Sequence, residues 1–171
     1  MFEIREFMPF DAEKVLSWIS DEKSFRQWSA DKYDSYPPKP EEMNDFYASV
    51  KSLGGRAFMF CDDGKEIGHF ILRPLTDESI KTVRIGFIIV DSSIRGKGYG
   101  RKMLEIAVPF ALSEYEALRI TLGVFENNPK AKKCYESVGF RQWSETSCAI
   151  NGELWKCLEM EYTLIKSTPV E

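Results

Sequence analysis

The chain has 171 residues, which suits one domain with a substantial hydrophobic core and is short for two. Apolar residues make up 43% of the sequence and charged residues 29%, a composition typical of globular proteins and unlike that of disordered ones. The net charge of −4 argues against nucleic acid as the main partner, and no apolar run approaches the ~18–20 residues that a membrane span needs.

The N-terminal part of the chain combines strand and helix patterns. Phe2–Phe7 alternates apolar and polar residues like a strand, and Asp11 can then cap a helix that has one apolar face. Residues 20–40 mix polar and aromatic side chains and end in a proline-rich stretch, which predicts an irregular segment. A second helix is expected over about residues 41–52.

The middle of the chain predicts three strands. Arg56–Cys61 and Glu66–Arg73 have strand composition and flank Asp62-Asp63-Gly64, which is a hairpin turn signal. Val83–Val90 is an almost unbroken apolar run. Such a run suits a central strand that is buried on both faces.

The C-terminal half predicts two helices and three further strands. After a glycine-rich loop, apolar residues recur at helical spacing, and Leu118–Val124 is another buried strand. Pro129–Val138 predicts a short helix, and two last strands flank Asn151-Gly152, a strong type I′ hairpin signal. Together these elements predict one α/β domain with a mixed central sheet of about seven strands.

The domain is expected to cover residues 1–166, with 167–171 as a C-terminal tail. The segment Met1–Arg5 has neither a basic leader nor an apolar stretch, so no secretory signal is expected. The chain has four cysteines, Cys61, Cys134, Cys148 and Cys157. They form no CxxC pair and the chain has one histidine, so we expect reduced thiols, no metal site and a cytoplasmic protein.

The loop at residues 91–100, with the sequence DSSIRGKGYG, joins a strand to a helix. Three glycines at alternate positions allow backbone N–H groups to converge on one anion. The helix N-terminus and the side chains of Arg95, Lys97 and Arg101 add positive charge. The spacing fits neither the GxGxxG dinucleotide loop nor the P-loop, and a tight turn alone needs only one glycine. The loop therefore predicts a pyrophosphate site.

The helix at residues 129–138 has well-defined ends in the sequence. Asn128 is a good N-cap, Pro129 suits the first turn and Gly139 suits the left-handed position after the last turn. On this interpretation alone, Asn128 is only a cap and Tyr135 only a core aromatic. The position of this helix one strand after the glycine loop favours a functional role for both residues.

The two motifs together, Arg95-x-x-Gly98-x-Gly100 and Asn128-x-x-Ala131-x-x-x-Tyr135-x-x-x-Gly139-Phe140, resemble those of the GNAT N-acetyltransferase superfamily. The resemblance covers residues 83–140 strongly and the rest of the chain by element order. It implies a GNAT-like acyl-CoA N-acyltransferase fold, with helices on both faces of the sheet and two central strands that splay apart around acyl-CoA. It also implies an enzyme that transfers an acetyl group from acetyl-CoA to a primary amine of a small molecule, a peptide N-terminus or a lysine, by direct attack in a ternary complex.

The resemblance also implies roles for individual residues. Backbone groups of residues 88–90 would pair with the pantetheine arm, the loop N–H groups would hold the pyrophosphate, and the Tyr135 hydroxyl would point at the thioester sulfur. An N–H of the strand, that of Ile88, would meet the oxyanion. The expected cofactor-binding residues are Ile88, Ile89, Val90, Arg95, Gly96, Lys97, Gly98, Tyr99, Gly100, Arg101, Asn128, Lys133 and Tyr135.

The general base is left open by the sequence. Many family members place a glutamate on the strand before the glycine loop, where this chain has Arg84. Glu126 is the first candidate, ahead of Asp91, Glu66 and His69, and a chain of water molecules is an equal alternative. The departure at Arg84 also supports a second hypothesis, a CoA-binding sensor or interaction module without turnover.

The acceptor side is suggested by aromatic residues in two regions of the chain. These residues are Trp18, Phe25, Trp28, Tyr33, Tyr36, Trp143 and Trp155. They either cup a cationic or aromatic acceptor by cation–π contacts or simply cover the edge of the sheet. The expected partners are acetyl-CoA and an amine acceptor, for a monomer or a homodimer.

Overall fold

The computed structural model describes residues 1–164, and the expected tail at 167–171 lies outside the described residues. The domain boundary at 166 therefore stays a prediction. Within 1–164 the strands are β1 Phe2–Glu6, β2 Arg56–Asp62, β3 Lys65–Leu75, β4 Thr82–Val90, β5 Arg119–Phe125, β6 Arg141–Ile150 and β7 Glu153–Thr163. The helices are α1 Ala12–Ser17, α2 Glu22–Ser29, α3 Pro40–Ser52, α4 Tyr99–Glu114 and α5 Pro129–Val138.

The seven strands form one mixed sheet in the order β1-β2-β3-β4-β5-β7-β6. Only the β4–β5 pair is parallel, and the other neighbours run antiparallel. The predicted single α/β sheet of seven strands is thus confirmed. None of the helices in residues 1–164 is both long and apolar enough to cross a membrane.

The elements whose ends are encoded locally have the predicted bounds. Helix α5 begins after Asn128, whose Oδ1 accepts a hydrogen bond from the Ala131 amide at 3.4 Å, and ends at Gly139 with φ +111°. The β6–β7 hairpin turns at Asn151 and Gly152, where φ is +48° and +81°. Two successive left-handed residues define the type I′ turn that the sequence predicts.

Two predictions for the N-terminal part were wrong. Helix α2 lies inside the segment predicted to be irregular, and its N-cap is Asp21, whose carboxylate accepts from the Ser24 amide at 2.7 Å. Asp11 does not cap α1 through its side chain. Instead, the buried Asp11 carboxylate accepts from the Met8 amide and from both terminal nitrogens of Arg5, each at 2.8 Å.

Helices cover both faces of the sheet, as the resemblance implied. Helices α4 and α5 pack on one face, against residues such as Ile85 of β4 and Leu122 of β5. Helices α1–α3 pack on the other face, against Met59, Ile71 and Phe87 of strands β2–β4. We call this second face the α1–α3 face.

Candidate functional site

Strands β4 and β5 separate in the middle of the sheet. They pair only through Thr82 with Arg119, Val83 with Ile120, and Arg84 with Thr121. Beyond this point β4 stays paired with β3 up to its last residue, Val90, and β5 stays paired with β7 up to its last residue, Phe125. The two strands therefore diverge into a V-shaped gap between residues 85–90 and 122–125, as the resemblance implied.

Strand β4 carries a β-bulge on the edge of this gap. Ile71 of β3 lies opposite Gly86 and His69 lies opposite Ile89, so Phe87 and Ile88 share the space opposite one residue of β3. Phe87 has φ +51°, which is rare for a residue with a side chain. The bulge was not predicted from the sequence, although an isolated glycine in a strand pattern, here Gly86, is a signal for one.

The predicted central strand β4 has buried side chains on both faces, and the bulge divides them between its two halves. Val83 and Ile85 are buried on the face of α4 and α5, and Phe87 and Ile89 are buried on the α1–α3 face. The extra residue therefore moves the buried side chains of β4 from one face to the other. The residues between them, such as Ile88, stay partly exposed beside the gap.

The glycine loop follows β4 directly and leads into α4. Gly96 and Gly98 have φ +80° and +82°, and no atom lies within 4 Å of the position that a Cβ would take on either. Gly98 is the N-cap of α4. Gly100 acts differently, because a Cβ there would lie 3.4 Å from Cys134 Sγ of α5. Two glycines thus shape an open loop at a helix N-terminus, and the third lets two helices approach.

The basic residues of the loop have different environments. Arg95 donates from Nε to the Val90 carbonyl at 3.1 Å and from Nη2 to the Trp18 carbonyl at 3.3 Å, and burial lowers its pKa. Arg101 donates to Glu105 at 2.8 Å. Lys97 and, on α5, Lys133 are exposed. Arg95 therefore fastens the loop to its surroundings, and the Lys97 side chain stays exposed.

Tyr135 lies on the inner side of α5, in the core next to Phe140. Burial raises the pKa of its hydroxyl above the ordinary value, so the group keeps its proton at neutral pH. Within residues 1–164 this hydroxyl makes no hydrogen bond. The position agrees with a core aromatic and also leaves a proton donor without a protein partner.

Comparisons with known proteins decide the family. The model of the acetyltransferase (GNAT) family matches residues 17–140. The chain belongs to the GNAT acetyltransferase family. A spermine/spermidine N(1)-acetyltransferase of Bacillus subtilis is 35% identical over 85 residues, which are 48% of this chain and 51% of that protein. The chain thus spans about half the length of the curated relatives it matches.

Solved structures show the same fold over nearly the whole chain. The crystal structure of a spermidine N-acetyltransferase from Vibrio cholerae, in complex with CoA and spermine, superposes with a TM-score of 0.78 at 22% identity, covering 95% of each chain. A ribosomal-protein-S5-alanine acetyltransferase from Vibrio fischeri has a TM-score of 0.75 at 18% identity, covering 98% of this chain and 96% of that one. Because the sequence identities are only 22% and 18%, these matches establish only the fold, which is the GNAT fold.

Three of the four candidate bases in this GNAT chain are held in other roles. Burial alone would raise the pKa of Asp91, but hydrogen bonds from Ser93 outweigh it and hold the pKa below the usual range. Hydrogen bonds from Lys14 and then Arg5 lower the pKa of Glu66 to about 2. A weakly basic carboxylate is a poor proton acceptor for an ammonium group.

His69 is likewise unsuited to accept a proton. It is fully buried on the α1–α3 face, and its Nε2 lies 2.6 Å from the Tyr47 hydroxyl. Burial lowers the pKa of His69 to about 3. Glu126, the first candidate, follows β5 directly and is exposed. Its backbone amide donates to the Lys156 carbonyl at 2.9 Å, and Glu126 lines a cavity of about 310 Å³ together with Trp155.

A group of charged residues that the sequence analysis did not find lies on the α1–α3 face beside the gap. Arg84 binds Glu159 of β7 through two hydrogen bonds of 2.8 and 3.2 Å. Glu159 pairs across the strands with Gly123 of β5, and a Cβ on Gly123 would lie 2.7 Å from Arg84 Nη2. The only signal in the sequence was the charge of Arg84 within an apolar strand.

Two aromatic residues of α2 and the following loop, Trp28 and Tyr33, lie next to the bulge of β4. Trp28 packs edge-on against Phe87 of the bulge, with ring centroids 5.1 Å apart, and Tyr33 stacks on Trp28 at 6.0 Å. Trp18 and Phe25 are core residues, and Tyr36 is exposed. Trp143 lies against the Arg119 guanidinium, and Trp155 packs on Phe125.

The described part of the chain contains no cluster of three or more His, Cys, Asp or Glu side chains arranged to hold a metal ion. The four cysteines, which all lie within residues 1–164, are free thiols.

Proposed function

We propose that this protein is an N-acetyltransferase that transfers an acetyl group from acetyl-CoA to a primary amine by direct attack in a ternary complex. The observation that carries the proposal is the gap between β4 and β5, which begins after the Arg84–Thr121 pair and has the bulge at Phe87 and Ile88 on its edge. The glycine loop and the N-terminus of α4 lie directly beyond the end of β4.

The residues present fit a pyrophosphate-bearing cosubstrate. A helix N-terminus offers free N–H groups and a partial positive charge. No atom lies within 4 Å of the position that a Cβ would take on the left-handed Gly96 or Gly98, and Lys97 adds an exposed positive charge. The loop residues 95–101 would hold the phosphates, and residues 88–90 would pair with the pantetheine arm like an added strand. Asn128, beyond its role as a cap, and Lys133 would lie along the same ligand.

The reaction forms a C–N bond and breaks a C–S bond. The amine nitrogen attacks the thioester carbonyl carbon, and the Ile88 N–H at the bulge would donate to the resulting oxyanion. The nitrogen becomes positively charged on attack and would release its extra proton to water. Collapse of the tetrahedral intermediate would then expel the CoA sulfur as a thiolate, which would receive a hydrogen bond or a proton from the Tyr135 hydroxyl, and the hydroxyl would regain any lost proton from water. Holding the two reactants in the gap supplies the larger part of the rate gain, because oriented reactants can gain about 7–11 kcal/mol.

The attacking amine must first lose a proton. Of the candidates, Glu126 is the exposed carboxylate nearest to the open end of β5, and we propose it as the proton acceptor, directly or through water. One observation favours a second candidate function, a CoA-binding sensor without turnover. Arg84 occupies the strand position of the expected base and binds Glu159, so β4 offers no carboxylate to the gap.

An acyl-transfer assay separates the two candidates. The full-length protein is supplied with acetyl-CoA and a panel of amines that includes small amines, polyamines, peptides with free N-termini and lysine-containing peptides, and CoA release is measured. Binding of acetyl-CoA is measured separately by calorimetry. Transfer to at least one amine supports the enzyme, whereas tight binding without transfer to any amine supports the sensor. No binding of acetyl-CoA refutes both.

A further inference from the structure

Two arginines lie side by side on the α1–α3 face, and only one of them has a partner. Arg73 of β3 pairs across the strands with Arg84 of β4. Arg84 is bound by the Glu159 carboxylate. Arg73 makes no hydrogen bond or ion pair with any residue in 1–164, although its side chain is half-buried and its Nε is fully buried. Burial of an unpaired guanidinium is unfavourable, and the adjacent positive charge makes it more so.

The position of Arg73 connects it to the reaction site. Its Nη2 lies 3.6 Å from the point where a Cβ on Gly86 would be. Gly86 precedes Ile88, the proposed oxyanion donor, by two residues, which is at most about 6–7 Å because the bulge bends the strand between them. The guanidinium therefore lies over β4 just before the bulge, on the side from which the helices α1–α3 face the gap.

A second unpartnered polar group lies beside it. Thr121 of β5 is the parallel partner of Arg84, it is 3% exposed, and its Oγ1 is buried without a hydrogen bond partner in residues 1–164. Glycines stand on both diverging strands at this level, Gly86 on β4 and Gly123 on β5, and both are partly exposed. Two polar side chains without a hydrogen bond partner in residues 1–164, Arg73 and Thr121, therefore lie where the strands begin to diverge, and the arginine guanidinium groups lie over the two glycines.

We propose that Arg73, with Arg84 and Thr121, binds an anionic group of the acceptor, so that the acceptor carries a carboxylate as well as the amine that is acetylated. The proposal rests on the proposed acetyl transfer. Two guanidinium charges against the one Glu159 carboxylate leave one positive charge, which matches a monoanion better than a dianion. A guanidinium also offers a planar fork of donors that fits the two oxygens of a carboxylate.

The spacing restricts the acceptor further. An anion over Gly86 and an amine at Ile88 would be separated by at most about 6–7 Å, the length of two strand residues. This fits a short amino carboxylate and disfavours a polycation. The phosphates of CoA would bind beyond the opposite end of β4, at the glycine loop, so the two anions do not compete.

The test compares acceptors that differ in a single group. Initial rates with acetyl-CoA are measured for ω-amino carboxylates of three to five carbons, the corresponding ω-amino amides, aminoalkyl phosphonates of equal length, and spermidine. We expect kcat/KM for the carboxylates to exceed that for the amides by about tenfold or more, mainly through KM. A preference for the phosphonates would replace the carboxylate with a phosphate-like group. Amides or spermidine used as well as the carboxylates would overturn the proposal.

Variants then assign the preference to Arg73. Arg73→Met should reduce the carboxylate-to-amide ratio by about tenfold, and Arg73→Lys should restore part of it, because it keeps the charge but not the fork. Arg56→Met is the matched control, since Arg56 lies in β2 and binds Glu6. It should keep the wild-type ratio. An unchanged ratio in Arg73→Met would refute the assignment.

Thermal unfolding distinguishes a binding arginine from a structural one. Without ligand, Arg73→Met should unfold at the wild-type temperature or above it, because an uncompensated buried charge is removed. A lower unfolding temperature that Arg73→Lys restores would indicate a structural arginine and overturn the proposal.

Ligand-induced stabilisation remains informative if the proposed function fails. Should acetyl-CoA bind but no amine be acetylated, the carboxylates are added to the CoA complex and unfolding is followed again. Stabilisation of the wild type that is absent in Arg73→Met supports the anion site independently of turnover. Equal behaviour of both proteins refutes it.

Discussion

The two ends of strand β4 are built by different kinds of interaction. At its C-terminal end, the loop is held mainly by contacts between near neighbours in the sequence, such as Asp91 with Ser93 and Arg95 with the Val90 carbonyl, and by one distant contact from Arg95 to the Trp18 carbonyl. At its N-terminal end, Arg84 binds Glu159, a residue 75 positions away in the sequence. Backbone geometry therefore dominates the proposed cofactor end, and side chains gathered from distant strands dominate the proposed acceptor end.

This difference has a consequence for function. A backbone cradle recognises a phosphate through N–H groups that every residue type supplies, so its geometry tolerates many sequences provided that the glycines remain. A site made of side chains changes with each substitution. One fold can therefore keep a cosubstrate while its acceptor varies.

The largest effect is expected in the glycine loop at the C-terminal end of β4. Gly98→Asp places a side chain on a residue with φ +82° and a carboxylate where the phosphates would bind. We expect acetyl-CoA affinity to fall by about 100-fold or more, measured by calorimetry, with an unchanged circular dichroism spectrum.

Gly64→Asp is the matched control for this substitution. Gly64 has φ +78°, no atom within 4 Å of a Cβ position, and a place in the β2–β3 turn far from the loop. It introduces similar backbone strain and the same charge, so affinity should be retained. If Gly98→Asp bound acetyl-CoA as tightly as the wild type, the glycine loop would not be the phosphate-binding site.

The same division separates what the sequence could predict from what it could not. The bounds of α5, the β6–β7 turn and the glycine loop were predictable because their signals, such as Asn128 and Gly139, lie within a few residues of the structure they set. Helix α2 was missed although Asp21 is a local N-cap signal, because a helix of eight residues also depends on tertiary packing, here of the buried Phe25. The Arg84–Glu159 contact required the register of β5 and β7, which no local pattern specifies.

The next largest effect is expected at Tyr135 of α5. Tyr135→Phe removes one hydroxyl that has no partner in residues 1–164 and leaves the packed ring in place. If the hydroxyl donates to the departing sulfur, kcat should fall roughly 10- to 100-fold while acetyl-CoA affinity changes little. Steady-state kinetics with the best acceptor, together with calorimetry, measure the two effects. Full activity would assign Tyr135 to the core alone.

The smallest effect is expected at the Arg84–Glu159 ion pair, at the N-terminal end of β4. A Cβ on Gly123 would lie 2.7 Å from Arg84 Nη2 and 3.0 Å from Cys157 Sγ, so Gly123→Ala must displace the ion pair. We expect the free energy of unfolding to fall by about 1 kcal/mol, measured in urea. Gly86→Ala is the control on the neighbouring strand, because its Cβ would meet Arg73 and Ile71 at ordinary distances of 3.6 and 3.8 Å.

The double variant separates the contact from a general strand effect. If the cost of Gly123→Ala comes from the displaced Arg84, it should shrink when Arg84→Met is also present, because the atom that is crowded has been removed. Gly86→Ala should be neutral or slightly stabilising, since alanine loses less backbone entropy than glycine on folding. Equal costs for Gly123→Ala and Gly86→Ala would mean that the ion pair adjusts freely. The acceptor end would then be less rigidly defined by its side chains than the contact with Glu159 indicates.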